Sequence, residues 1–152
     1  MTTLLGEFKS ITEALNAAGI EYAVCGGWAM AIHGLPRATM DIDLLILADD
    51  LDKILRTARG IGYDVDGLPL HFDVEIRRIS KVSRDLKQLI TLDLILVSDA
   101  IRDVWETRER LSWDEGLTSV VSRDGLIKLK LLAGRKQDLA DIEKLREAED
   151  EG

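Results

Sequence analysis

The chain has 152 residues, 46% of them hydrophobic, a formal net charge of −8 and one cysteine, Cys25. This length predicts a single domain over residues 1–152 with a sizeable core, and the acidic balance argues against a broad basic surface that binds nucleic acid. A lone cysteine excludes an internal disulfide, and the N-terminal stretch is neither a signal peptide nor apolar enough to span a membrane, so we expect a cytoplasmic protein.

The spacing of hydrophobic residues changes repeatedly along the chain, which predicts a mixed α/β fold. Helices are predicted at about 4–18, 28–33, 51–59, around Trp105, 123–133 and 136–148, and strands at about 22–25, 41–47, 72–79, 90–97 and 118–121. Asp49 and Asp50 are expected to cap the helix that begins at residue 51, and Gly60 to close it. The acidic end, about residues 149–152, is expected to fray.

Two aspartates stand at the head of the second predicted strand, in the stretch DIDLLIL. In a strand, residues i and i+2 point to the same side about 6.5–7 Å apart, so Asp41 and Asp43 can converge on one patch while Ile42 points into the core. Carboxylate oxygens are the ligands that Mg²⁺ and Mn²⁺ prefer, and two such ions about 4 Å apart serve in-line phosphoryl or nucleotidyl displacement. The pair predicts a divalent-metal site, with ordinary solvent-facing aspartates as the alternative.

A Gly-Gly pair, Gly26 and Gly27, lies between the first predicted strand and a short helix. Glycine lets the backbone approach a ligand closely, and a helix that begins after Gly27 would direct unpaired N–H groups toward a phosphate. Metal carboxylates and a phosphate cradle would then lie within one strand-turn-helix-strand unit. Each motif is common by itself, but their order and spacing together indicate nucleotide chemistry.

These residues carry a family resemblance. The stretch CGGWAMAIHGLPRATMDIDLLI resembles the GG...G...R.T.DID signature of minimal nucleotidyltransferases of the DNA polymerase β superfamily, especially the AbiEii-like group of toxin-related proteins. TLDLILV resembles a later strand of that family, and LIKLKLLAGRKQDLADIEKL resembles the C-terminal helical signature of the group. The resemblance implies an α/β fold of the polymerase β type, with a mixed sheet, flanking helices and a C-terminal helical segment.

The resemblance also implies a reaction and its residues. A nucleoside monophosphate would pass from a nucleoside triphosphate to a hydroxyl acceptor, with release of pyrophosphate and with Mg²⁺ or Mn²⁺ as cofactor. The metal ligands and catalytic carboxylates would be Asp41, Asp43 and Asp93, and Asp93 would also act as general base. The nucleotide-binding residues would be Gly26, Gly27, Arg37 and Lys130. The superfamily often has Gly-Ser in place of Gly26-Gly27, and that serine supplies a hydroxyl to the triphosphate. Triphosphate binding by this pair would therefore use backbone N–H groups alone.

Several of these positions have simpler explanations. Asp73, on the alternating stretch FDVEIRR, competes for the place of the third carboxylate. Lys130 is equally compatible with a solvated position on an amphipathic helix, and Arg37 with a loop-stabilising role. Arg135 and Asp138, which match the C-terminal signature, could form a structural ion pair between the last two helices.

Three classes of function are compatible with the motifs. The first is an active, ATP-using nucleotidyltransferase, either standalone or part of a toxin–antitoxin system. The others are a D-x-D metal-dependent glycosyltransferase and a nucleotide-binding regulatory module without turnover. The acceptor stays open between tRNA, a protein and a small molecule, and a partner protein or a second copy of the chain could contribute. A local basic patch that could support RNA binding comprises Arg77, Arg78, Lys81, Arg84 and Lys87.

Overall fold

The computed structural model describes residues 3–35, 41–71, 74–113, 116–133 and 136–151. The helices are α1 (Leu4–Ala17), α2 (Gly26–Ile32), α3 (Leu51–Gly60), α4 (Arg102–Glu106), α5 (Arg123–Ala133) and α6 (Lys136–Glu151), with 3₁₀ turns at Ala48–Asp50 and Asp99–Ile101. The strands are β1 (Ala23–Cys25), β2 (Asp41–Ile46), β3 (Val65–Asp66), β4 (Leu70–His71), β5 (Glu75–Ser83), β6 (Gln88–Leu96), β7 (Glu109–Trp113) and β8 (Gly116–Val120). No helix in the described ranges is long and apolar enough to cross a membrane.

One mixed sheet organises the described part of the chain. Its eight strands follow the order β3-β5-β6-β2-β1-β8-β7, with β4 paired to β5. The central strand β2 runs parallel to β6 and antiparallel to β1, and β1 runs parallel to β8. The antiparallel hairpins β5–β6 and β7–β8 complete the two sides of the sheet. This architecture confirms the predicted mixed α/β fold.

One face of the central strands is fully buried. Side chains alternate along β2, so Ile42 and Leu44 point to this face, and their register partners on β6 are Leu92 and Leu94. All four are buried, and each such side chain contributes about 1.5–3 kcal/mol relative to an exposed one. This part of the core therefore lies on the face of β2 to which Ile42 and Leu44 point.

Helix α1 packs over this buried face. Its residues Phe8 and Ile11 belong to the core. The buried Glu7 forms an ion pair with Lys81 on β5, at 2.9 Å, and accepts a hydrogen bond of 3.1 Å from the hydroxyl of Tyr63. The network ties the first helix to the outer part of the sheet.

The boundaries depart from the predictions where pairing overrides local propensity. β5 runs on to Ser83 rather than ending at residue 79, because its residues from Ile76 to Ser83 pair with β6. The short strands β3, β4 and β7 are not predicted, since Val65 and Asp66 of β3 are exposed and β3 and β4 have only two residues each. Helix α2 begins at Gly26 rather than at residue 28. Asp50 occupies the N-cap position of α3, as predicted, but its side chain makes no cap hydrogen bond.

Candidate active site

Four side chains from four neighbouring strands form a row across the sheet. Along β5, β6, β2 and β1, the register partners are Arg78, Asp93, Asp43 and Cys25. Neighbouring strands lie about 4.8 Å apart, and register partners point to the same side of the sheet. The row therefore sets Asp43 and Asp93 side by side on adjacent strands, on the face opposite Ile42.

Asp41 shares this face of the sheet. It is exposed and Asp43 is half-buried, whereas Ile42 between them is buried. The register partner of Asp41 on β6 is Thr91, two residues before Asp93. The strand alternation thus brings all three predicted carboxylates to one face of β2 and β6. Their assignment as metal ligands and catalytic groups stays a prediction.

The turn that follows β1 lies against Asp43. Gly26 has a φ of +64°, a left-handed conformation that glycine adopts without strain. A Cβ built on Gly26 would overlap the carboxylate of Asp43, so a side chain at this position is incompatible with the position of that aspartate. Helix α2 starts at this glycine, and Gly27 is buried. The glycine turn is therefore in direct contact with Asp43.

Asp93 is bound by Arg78, which the sequence pattern indicates only as a member of a candidate RNA-binding patch. Nε of Arg78 donates to Oδ1 of Asp93 at 2.8 Å, and Nη2 donates to Oδ2 at 3.1 Å. The side chain of Asp93 is 10% exposed, and that of Arg78 is 43% exposed. Because a buried carboxylate without a partner is costly, this bidentate contact offsets the cost of burying Asp93.

The charges of the site act on its neighbours. The hydrogen bond from Asp93 raises the pKa of Arg78 above its usual value, and the charges of Asp93, Asp41 and Asp43 raise it further, against the effect of burial. Burial, followed by the charge of Asp43, raises the pKa of the Cys25 thiol well above its usual value. Cys25 therefore fills space as a neutral thiol, and Arg78 stays charged in the field of all three carboxylates.

The donor set suits a hard divalent cation, because carboxylate oxygens are the preferred ligands of Mg²⁺ and Mn²⁺. In the described ranges, however, no group of three His, Cys, Asp or Glu side chains stands in position to hold one metal ion. Both oxygens of Asp93 accept hydrogen bonds from Arg78. Asp41 and Asp43 lie on the same face of the sheet as Asp93, and a cation shared by all three would require Asp93 to give up part of its contact with Arg78.

Lys130, predicted to bind nucleotide, is buried between α5 and α6. Its ammonium lies 2.9 Å from Asp141 and 3.6 Å from Asp138, and all three side chains are 5% exposed or less. The alternative of a solvated helix residue is therefore wrong. The contacts tie α5 to α6, and a role in nucleotide binding stays a prediction.

Three residues of the sequence analysis, Arg37, Asp73 and Arg135, lie outside the described residues. The choice between Asp73 and Asp93 as the third carboxylate of the site therefore stays open. The role of Arg37 in phosphate binding and the partner of Arg135 also stay open. Nε2 of His33, the residue after α2, lies 2.8 Å from the carbonyl oxygen of Val121, so it connects the end of α2 to the segment that follows β8.

The proposed basic patch is not a single free surface. Three of its members contact carboxylates of the chain itself, since Arg77 lies 3.4 Å from Glu75, and Arg78 and Lys81 are bound as described above. Arg77 and Arg78 are consecutive on a strand and therefore point to opposite faces of the sheet. These contacts do not favour RNA binding by the five basic residues of the patch.

Solved structures with the same arrangement of helices and strands identify the fold. The complex of ANT(2'')-Ia with adenylyl-2''-tobramycin has a TM-score of 0.70 at 12% identity, covering 97% of this chain and 90% of that one. The lincosamide antibiotic adenylyltransferase LnuA, lincomycin-bound, has a TM-score of 0.62 at 18% identity, covering 92% and 94%. TM1012 of Thermotoga maritima has a TM-score of 0.62 at 15% identity, covering 97% and 93%. The chain has the polymerase β-like fold of nucleotidyltransferases.

The family is identified by sequence. The model of aminoglycoside-2''-adenylyltransferases matches residues 7–95, more than half of the chain, including the Gly-Gly turn, the DID stretch and Asp93. The chain belongs to the aminoglycoside-2''-adenylyltransferase family and is a nucleotidyltransferase. This membership sets aside the D-x-D glycosyltransferase alternative. No curated protein sequence matches the chain.

Proposed function

We propose that this chain is a metal-dependent nucleotidyltransferase that transfers a nucleoside monophosphate, in the first instance from ATP, to a hydroxyl of a small-molecule acceptor. The observation that carries the proposal is the parallel register that pairs Asp43 on β2 with Asp93 on β6. Asp41 lies on the same face, and the Gly26 turn contacts Asp43. Carboxylates beside a glycine turn supply the charge and the close backbone approach that nucleotidyl transfer requires.

Each residue of the site has a part in the proposed reaction. Asp41, Asp43 and Asp93 supply the oxygen ligands for Mg²⁺ or Mn²⁺, which when bound would neutralise the triphosphate and the leaving pyrophosphate. Asp93 accepts the proton of the attacking hydroxyl. The acceptor oxygen forms a bond to the α-phosphorus while the bond to the bridging oxygen of the β-phosphate breaks, and pyrophosphate leaves with the electron pair. The triphosphate is bound by backbone N–H groups of Gly26 and Gly27, with Arg37 and Lys130 as further nucleotide contacts.

A small, cationic acceptor is the class that the charge of the chain favours. The net charge of −8 attracts amino-substituted molecules such as aminoglycosides and repels a polyanion such as tRNA. Two proteins of the same fold have been solved with antibiotics or their adenylyl products, ANT(2'')-Ia with adenylyl-2''-tobramycin and LnuA with lincomycin. We therefore propose an aminoglycoside-like acceptor.

The proposal is tested by incubating the protein with ATP labelled at the α-phosphate, Mg²⁺ and either tobramycin or lincomycin. The expected result is an acceptor that gains one AMP, with release of pyrophosphate. Asp43→Asn should abolish transfer, whereas Asp49→Asn, an exposed carboxylate on the 3₁₀ turn after β2, should retain it. ATP binding without transfer to any acceptor, including those in a cell extract, would favour the regulatory module instead.

The relationship to the AbiEii-like group and a toxin–antitoxin role stay predictions. They would be supported if the cell-extract labelling marked tRNA or a protein instead of a small molecule. A partner protein or a second copy of the chain could then complete the acceptor site, which size measurements of the purified protein would reveal. We propose a cytoplasmic location, where nucleoside triphosphates are supplied.

A further inference from the structure

Arg78 binds the buried carboxylate of Asp93 but is itself accessible to solvent. Two guanidinium N–H groups donate to the two carboxylate oxygens, at 2.8 and 3.1 Å. The side chain of Asp93 is 10% exposed, whereas that of Arg78 is 43% exposed. Asp93 is thus held in the sheet, while Arg78 extends from the neighbouring strand to solvent. Arg78 can therefore leave and stay solvated, provided that another cation replaces it as the partner of the buried Asp93.

The position of Arg78 opposes a cation at the same carboxylate. Its guanidinium lies in the field of Asp41 and Asp43 as well as Asp93. It therefore neutralises part of the charge that attracts a divalent ion, and a second positive charge nearby would be repelled. The planar guanidinium fork also matches phosphate as well as it matches carboxylate, so a triphosphate offers it an equivalent partner.

We infer that Arg78 is a positioning residue for nucleotidyl transfer: it competes with the divalent cation for Asp93, and it moves its hydrogen bonds to the triphosphate when nucleotide and cation bind together. The inference rests on the proposed function of the three carboxylates. It makes Arg78 the residue that couples nucleotide binding to cation binding.

A coupling of this kind has a measurable signature. Cation affinity is low in the free protein, because Arg78 occupies Asp93, and it rises when nucleotide gives Arg78 another partner. A purely structural ion pair would keep Arg78 on Asp93 in every state. Such a pair would affect stability but would not change how strongly nucleotide improves cation affinity.

The test measures Mn²⁺ binding by electron paramagnetic resonance for the natural chain and for Arg78→Gln, with and without a non-hydrolysable ATP analogue. Glutamine keeps one hydrogen-bond donor and removes the charge. The Mn²⁺ affinity of the free variant should rise about tenfold, since a positive charge close to the cation is lost. The factor by which the nucleotide analogue improves Mn²⁺ affinity should shrink by a similar amount.

Arg77→Gln is the matched control. It removes the same charge from the next position of β5, where the side chain lies 3.4 Å from Glu75 on the opposite face. Its Mn²⁺ affinity should stay within about twofold of the natural chain, because a solvent-exposed charge at a distance is screened. An equal increase in both variants would mean that net charge alone is responsible, and it would overturn the inference.

The remaining outcomes separate this inference from the proposed function. If Asp43→Asn abolishes Mn²⁺ binding while Arg78→Gln leaves affinity and coupling unchanged, the role of Arg78 is overturned and the metal site stands. If Mn²⁺ binding is absent, or is unaffected by Asp43→Asn, both fall. Melting curves in chelator confirm that each variant is folded. If Arg78→Gln does not fold, Arg78→Lys, which keeps the charge but loses the fork, should give a smaller increase in affinity.

Discussion

Asp43 is half-buried among like charges, with Asp41 two residues away and Asp93 opposite it on the next strand. Asp43→Asn keeps the shape of the side chain and relieves this repulsion. In a metal-free buffer the free energy of unfolding should stay the same or rise by about 1 kcal/mol, as functional carboxylates commonly oppose stability. Transfer activity should fall by several orders of magnitude. Thermal melts in chelator and transfer assays measure the two effects separately.

The control for this prediction is Asp93→Asn. That change removes the charged partner of Arg78, so it should cost about 1–3 kcal/mol in the same buffer. A loss of about 3–5 kcal/mol for Asp43→Asn, the cost of breaking a buried ion pair, would show that Asp43 is structural.

Gly26 offers a second prediction for a single residue. Alanine at a φ of +64° is strained by about 1 kcal/mol, and its Cβ would displace the carboxylate of Asp43. Gly26→Ala should therefore reduce both stability and transfer activity. Gly19 has a φ of +70° with nothing within 4 Å of an added Cβ. Gly19→Ala therefore introduces the same backbone strain but displaces no neighbouring side chain. Equal activity in the two variants would contradict a role for the Gly26–Asp43 contact.

Between elements, the buried cluster of Lys130, Asp138 and Asp141 joins α5 to α6. Lys130→Met removes the ammonium that the two carboxylates share, so the free energy of unfolding should fall by about 3–5 kcal/mol. Lys144→Met on the exposed side of α6 should change it by less than about 0.5 kcal/mol. Denaturant unfolding measures both.

The same variants test the nucleotide role predicted for Lys130. If Lys130→Met unfolds like the natural chain, the structural account of the cluster is wrong. Weaker ATP binding by the folded variant would support the nucleotide contact proposed for this lysine. If stability falls, the double variant Lys130→Met/Asp141→Asn should regain part of it, since one of the two buried negative charges is then removed.

The contrast between Asp43 and Arg78 shows which parts of the site the sequence could predict. The DID strand follows from local alternation, since Asp41, Ile42 and Asp43 need only a period of two to take opposite faces. The Arg78–Asp93 pair depends on the register of the β5–β6 hairpin. Its turn, residues 84–87, has no glycine, proline or asparagine, and it closes through Lys87 at a φ of +53°. Its single turn-favouring residue, Asp85, is a weak signal, so the sequence predicts strands that stop at residue 79 and start at residue 90, and the pairing does not follow from it.

Burial of charge was equally hard to predict. Lys130 reads as a solvated residue in a helical pattern, because a lysine normally marks the exposed face. It is buried because two carboxylates of α6 pack against α5, a contact between helices that no local pattern records. The edge strands β3 and β7 carry mostly exposed residues and depend on their partners for their conformation.

At the scale of the whole molecule, the buried contact between Tyr63 and Glu7 links the loop after α3 to α1, and Lys81 extends it to the sheet. Burial, followed by the negative charge of Glu7 and their hydrogen bond, raises the pKa of Tyr63 above its usual value. A group whose pKa is raised by folding contributes stability that is fully present below its unfolded pKa and is lost as pH rises. The free energy of unfolding should therefore decline above about pH 10, where an unfolded tyrosine ionises.

Tyr63→Phe should remove most of that decline. It should also cost about 1 kcal/mol at neutral pH, because Glu7 loses one hydrogen bond but keeps its ion pair with Lys81. Urea unfolding of the natural chain and the variant, from about pH 8 to pH 11, measures both effects. Tyr22, whose pKa is also raised by burial, provides the comparison, and Tyr22→Phe should leave most of the alkaline slope in place. Identical slopes in the natural chain and in Tyr63→Phe would show that ionisation of Tyr63 does not drive alkaline unfolding.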